Sequence, residues 1–70
     1  GPTGLYTFIV RAPGAATVHL EFDRSNARTL PTGGGYTAGW ITHNETRQHP
    51  VLIGLNNAGE VVGTFKLPIR

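Results

Sequence analysis

Few residues in this 70-residue chain are of types that could do chemistry. Tyr36 and Trp40 stand four apart in YTAGW, which on an extended chain puts both rings on one side. Two aromatics on an exposed face make a platform for sugar rings, whose C–H faces pack against π surfaces. The competing role for Trp40 is the core aromatic of a small sandwich. With a single tryptophan and few other large side chains, core is the expected role. His43 and His49 flank a polar stretch containing Asn44, Glu45 and Arg47, while His19 alternates onto the wet face of its segment. A zinc site needs three or four converging ligands, and two histidines spaced across a loop do not supply that pattern. Solvent-facing histidines are therefore expected. The candidate ligand-contacting set is Tyr36, Trp40, His43, Asn44 and Arg47.

Nucleophiles are scattered. Ser25 follows Asp23 closely, but no histidine is placed to act as its base, and the four acids form no recognisable pair. The expectation is a domain that is not an enzyme, with no cofactor and no metal. Three short patterns are read as loop chemistry. Asn44-Glu45-Thr46 is a glycosylation sequon by pattern. Leu30-Pro-Thr-Gly-Gly34 lacks one residue of the sortase signal Leu-Pro-x-Thr-Gly. Gly33 to Gly35 lack the Lys-Ser/Thr of a phosphate loop.

Composition sets the class. One small domain is expected, residues 5–70, with residues 1–4 read as a cleavage scar or linker left on a piece of a longer protein. An apolar content of 39% with only 14% charged residues fits a folded chain and not a disordered one. Cysteine is absent, which disfavours a disulfide-stapled animal secreted domain and leaves a bacterial exported or surface protein, or a cytoplasmic one. The net charge is +2, and the basic residues Arg11, Arg24, Arg28, Arg47, Lys66 and Arg70 are scattered among Glu21, Asp23, Glu45 and Glu60. Nucleic-acid binders concentrate charge on a stripe, so nucleic acid is not the expected partner. No apolar run reaches the length of a membrane span.

The elements that must position these residues are strands. Residues 49–70 carry two apolar runs of period two around NNAG at 56–59, which predicts a β-hairpin. Pro50 is expected at a strand start. Residues 5–12 form a further strand, closed by Pro13-Gly14 in a type II turn. In residues 17–23, Val18, Leu20 and Phe22 alternate with polar neighbours, as on an antiparallel strand wet on one face. Residues 24–35 form a loop, with a short strand at 27–30 and its most mobile point at Gly33 to Gly35. Residues 36–43 give another strand, followed by a polar connection at 44–48. No segment has helical periodicity. The result is an all-β fold, an antiparallel sandwich of about six short strands, with a small barrel as the variant.

Residues 6–13, YTFIVRAP, followed by ATVHLEF at 16–22, resemble the first two strands of early-set immunoglobulin-like modules. Modules of that type precede the catalytic domains of glycogen-branching enzymes. NAGEVVG at 57–63 is similar to the last hairpin of bacterial immunoglobulin-like and fibronectin-type repeats. The resemblance covers a little over half the chain, and only Trp40 is available for the glycan-binding tryptophan pair of the branching-enzyme modules. It implies an immunoglobulin-like β-sandwich that serves as a non-catalytic structural or binding module of a larger exported, surface or phage protein. Such a module presents its loops, at 24–35 and 43–49, to a protein partner or neighbouring domain. Two alternatives stand beside it. One is a carbohydrate-binding accessory module that uses Tyr36 and Trp40 on polysaccharide. The other is a small nucleic-acid-binding barrel, which requires Arg11, Arg24, Arg28 and Lys66 to converge.

Overall fold

The computed structural model describes residues 4–23 and 27–67. Seven strands and one 3-10 helix follow in order: β1 Leu5–Arg11, β2 Thr17–Glu21, β3 Arg28–Leu30, β4 Thr32–Gly33, β5 Tyr36–Thr42, the 3-10 helix Glu45–Gln48, β6 Val51–Leu55 and β7 Val61–Phe65. They form two antiparallel sheets, one of three strands in the order β1-β5-β4 and one of four in the order β3-β2-β6-β7. This is the expected small all-β sandwich. The strand beyond the expected six is β4, two residues long. The connection at 44–48 is a 3-10 turn and not an irregular loop.

Turn chemistry sets the corners. Gly14 has φ +80°, and the Ala15 N–H bonds the Ala12 carbonyl at 3.2 Å, closing the turn that Pro13-Gly14 announces. Gly34 and Gly35 have φ of +59° and +84°, and Gly33 pairs with Tyr36 around them. Two successive positive φ values make the two-residue turn that suits the twist of a hairpin. The glycines of residues 33–35 thus form the corner between β4 and β5. Between β6 and β7, the Asn56 side-chain oxygen accepts from the Ala58 and Glu60 backbone N–H groups, each at 2.9 Å.

The core lies where the alternating apolar sides of the two sheets meet. Phe8 and Ile41 come from the three-stranded sheet, and Val18, Leu20, Leu30 and Leu52 from the other. Register explains their meeting: Leu20 lies opposite Leu52 on β6, and both are fully buried. Each such side chain contributes about 1.5–3 kcal/mol by leaving water. Thr37, the buried polar residue, donates to the Pro31 carbonyl at 2.9 Å and so carries no unpaired hydroxyl. Phe8 faces Gly39 across the ladder. A Cβ at Gly39 would stand 2.9 Å from Leu30 Cδ2 and 3.0 Å from Phe8 Cζ, so its missing side chain lets the core close over β5.

Tyr6 shares the inward parity of Phe8 and Ala12 but is 42% exposed, because it lies near the start of β1, away from the middle of the core. One expectation is corrected. Trp40 is not core: it is 47% exposed. Thr37, Gly39 and Ile41 are the residues of β5 that face inward, which leaves Tyr36, Ala38 and Trp40 on the outer side.

Candidate functional site

The outer face of the three-stranded sheet is built by the β1:β5 ladder. Its facing pairs are Leu5 with Thr42, Thr7 with Trp40, Ile9 with Ala38 and Arg11 with Tyr36. Tyr36 is 48% exposed, Ile9 72% and Leu5 55%. On a strand rising about 3.3 Å per residue, the Tyr36 and Trp40 backbones are roughly 13 Å apart. Between them lies the aliphatic pair Ile9–Ala38. The surface is thus apolar at its centre, aromatic at two points and polar at Thr7, Thr42 and Arg11. Single exposed apolar residues are ordinary, and this face gathers several of them side by side.

Trp40 is held in place from one side. Because β4 begins only at Thr32, opposite Thr37, it leaves the Trp40 stretch of β5 uncovered, and Arg28 fills that gap from the other sheet. The Arg28 guanidinium lies 4.5 Å over the Trp40 ring and 5.3 Å from the Phe22 ring. It donates to the Trp40 carbonyl at 3.2 Å and to Glu45 Oε1 at 3.0 Å. Its Nε is buried and has no hydrogen-bond partner among the described residues.

Glu45 fixes the arrangement from below. Its carboxylate accepts from the Thr42 N–H at 2.8 Å, and its own N–H donates to Thr42 Oγ1 at 3.2 Å. That reciprocal pair has the Thr-x-x-Glu pattern of a capping box, set at the exit of β5 and just ahead of the 3-10 helix. Burial would raise the Glu45 carboxyl, but the Thr42 N–H and the Arg28 guanidinium together hold it below the usual carboxylate range.

The other predicted contact residues lie apart from this face. His43 sits at the end of β5, where its Nδ1 and the Tyr6 hydroxyl are 3.3 Å apart. Asn44 is exposed and opens the 3-10 turn, its carbonyl accepting from the Arg47 N–H. Arg47 lines a cleft with Asp23, Gln48 and His49, where His49 Nδ1 meets the Asp23 carboxylate and the Asp23 N–H bonds the Gln48 carbonyl. The five candidates therefore divide into an aromatic pair on a sheet face and three loop residues elsewhere. Among the described residues no three His, Asp or Glu side chains converge as metal ligands. Arg24 and Ser25 lie outside the described residues.

Sequence reasoning missed Leu5, Ile9 and Arg28. The first two have the outward parity of a strand already recognised, and could have been found by pairing it with residues 36–42. For Arg28, the legible signal was Thr42-x-x-Glu45, a reciprocal pair whose carboxylate oxygen also accepts from a cation.

No family model, curated protein or solved structure matches the chain.

Proposed function

We propose that this is a non-catalytic, immunoglobulin-like binding module that docks a protein partner or a neighbouring domain on the outer face of its three-stranded sheet. The observation that carries the reading is the composition of that face: Trp40, Tyr36 and Arg11 surround the protruding Ile9. Tryptophan, tyrosine and arginine are the residues that dominate protein interfaces, and an aliphatic centre favours desolvated protein contact over hydroxyl-rich ligands. Arg28 pre-positions the Trp40 ring, which lowers the ordering cost of binding. The module differs from the loop-presenting one that the sequence suggests in using a sheet face. The sheets have four and three strands, the same counts as an immunoglobulin constant domain, in a different strand order. Within a larger exported or surface protein, a cysteine-free sandwich of this kind serves as a spacer that also docks.

A photo-crosslinking residue placed at Tyr36 tests this in cells that make the full-length protein. The same residue at Thr29, exposed on the other sheet, is the control. A defined adduct from position 36 that is absent from 29 supports the reading. Equal labelling, or none, contradicts it.

A second reading is favoured by the exposure of both aromatics on one face: Tyr36 and Trp40 bind a polysaccharide chain. Titrating soluble glucans and xylans while following Trp40 fluorescence decides it. Saturable change that is lost in Tyr36→Ala supports glycan, and no change leaves the protein partner.

A further inference from the structure

Exposed apolar side chains on this sandwich are not spread evenly. Seven large ones are exposed among the described residues. Five of them, Leu5, Tyr6, Ile9, Val61 and Val62, lie on β1 and β7. These strands are the free edges of their two sheets. Natural edges are usually blunted by charges or proline, because a row of unpaired N–H and C=O groups templates pairing with another chain. Here β1 (LYTFIVR) has a single charge, at its last residue, and β7 (VVGTF) has none. The one blunting device on β7 is a bulge between its pairings at Val61 and Gly63.

Both edges lie on the same side of the molecule. Only Pro31 separates β3 from β4, which joins the other edges of the two sheets. The side carrying β1 and β7 is therefore the open one. The turn at 12–15 reverses the chain between β1 and β2, and β2, β6 and β7 are successively antiparallel, so β7 runs opposite to β1.

We infer that a second copy of this chain covers the open side, β1 of each copy pairing antiparallel with β7 of the other about a two-fold axis parallel to the strands. That axis keeps strand direction and exchanges the two layers, so each three-stranded sheet continues into the four-stranded sheet of the other copy. Side-chain complementarity sets the register. Tyr6, Thr7 and Phe8 come opposite Phe65, Thr64 and Gly63, matching aromatic to aromatic, threonine to threonine and ring to glycine, all of them favourable cross-strand pairs. Facing is preserved, since Thr7 and Thr64 both point outward in their own sheets. Beyond the bulge, Ile9 meets Val61 and Val62, and Arg11 reaches the level of Glu60. Both charges are exposed, and neither has an ion-pair partner among the described residues. Glu60 Oε1 accepts only from Asn56 Nδ2, at 3.1 Å. The contact is isologous, so it closes as a dimer and does not grow into a fibre.

The test is charge reversal with complementation, read by analytical ultracentrifugation across a concentration series. The wild-type chain is expected to form a dimer. Arg11→Glu faces two like-charge pairs per dimer, as does Glu60→Arg, and each alone should weaken association at least about tenfold. An equimolar mixture of the two variants restores opposite charges at both contacts, one in native and one in reversed sense, and should recover the dimer. Circular dichroism confirms that the exposed substitutions leave the fold intact. A wild-type chain that stays monomeric at its highest soluble concentration overturns the inference. So does a dimer that either variant leaves unchanged, or that mixing does not recover, since pairing of β1 with β1 gives no such rescue. Arg11 also borders the proposed docking face, but Glu60 lies on the other sheet from Tyr36 and Trp40, so the Glu60→Arg result separates this inference from that of the docking face.

Discussion

Arg28 stacks 4.5 Å over the Trp40 ring and hydrogen-bonds the same residue's carbonyl, joining the two sheets at the stretch of β5 that β4 leaves uncovered. A single side chain thus satisfies an edge carbonyl, neutralises Glu45 and braces the indole. The candidate docking face and the stability of this end of the sandwich depend on the same residue.

Replacing Arg28 by alanine strands the Trp40 carbonyl and the Glu45 carboxylate. A loss of about 1–3 kcal/mol in urea unfolding is expected, the range for leaving a buried polar group without its partner. The Trp40 side chain should also gain mobility, seen as lower fluorescence anisotropy of the folded protein. A variant as stable as the wild type would mean that this cluster is solvated decoration.

The same cluster sets a pH dependence. Glu45 has a folded-state pKa below its unfolded value, so its stabilisation is present above the ordinary glutamate range, about 4.3, and is lost as pH falls through the folded pKa. Denaturant midpoints measured from pH 7 down to pH 3 should therefore fall, and Glu45→Gln should flatten the part of that fall due to this group. An unchanged slope in the variant would remove Glu45 from the account.

Trp40 and Leu52 give a direct contrast between surface and core. Leu52 is fully buried opposite Leu20, and Leu52→Ala should cost about 2–5 kcal/mol. Trp40→Ala removes a half-exposed ring with one cation–π contact, and about 1 kcal/mol is expected. Thermal or urea unfolding of both variants checks the ordering. A larger loss at Trp40 than at Leu52 would restore the tryptophan to the core.

Gly39 is the third stability position. Gly39→Ala places a methyl against Leu30 and Phe8 in a filled core, for an expected loss of about 1–3 kcal/mol. Ala38→Ser, one residue along on the outer side, should leave the midpoint nearly unchanged. Equal effects at the two sites would contradict the inward facing of Gly39.

Much of this architecture was legible in local sequence. Val18 and Leu20 alternate with polar residues and fell on the buried face of β2, and NNAG closed the hairpin that its asparagine and glycine announced. What local sequence could not show was which strands pair. Tyr36, Ala38 and Trp40 share a parity, yet whether that parity faces in or out depends on Thr37 and Ile41 meeting the other sheet. A buried threonine with its hydroxyl on the Pro31 carbonyl has no signature in a hydrophobic pattern. The expectation that a lone tryptophan belongs to the core failed for that reason. Arg28 escaped notice because its role is tertiary, made by residues 12 and 17 positions away.

The most direct measurement is acrylamide quenching of Trp40, the only tryptophan in the chain. If the outer face of the three-stranded sheet is open in the free domain, emission is red-shifted and acrylamide quenches it readily, while addition of the docking partner shields it. A blue-shifted emission that resists quenching in the free domain would place Trp40 inside, and the docking face proposed here would not exist.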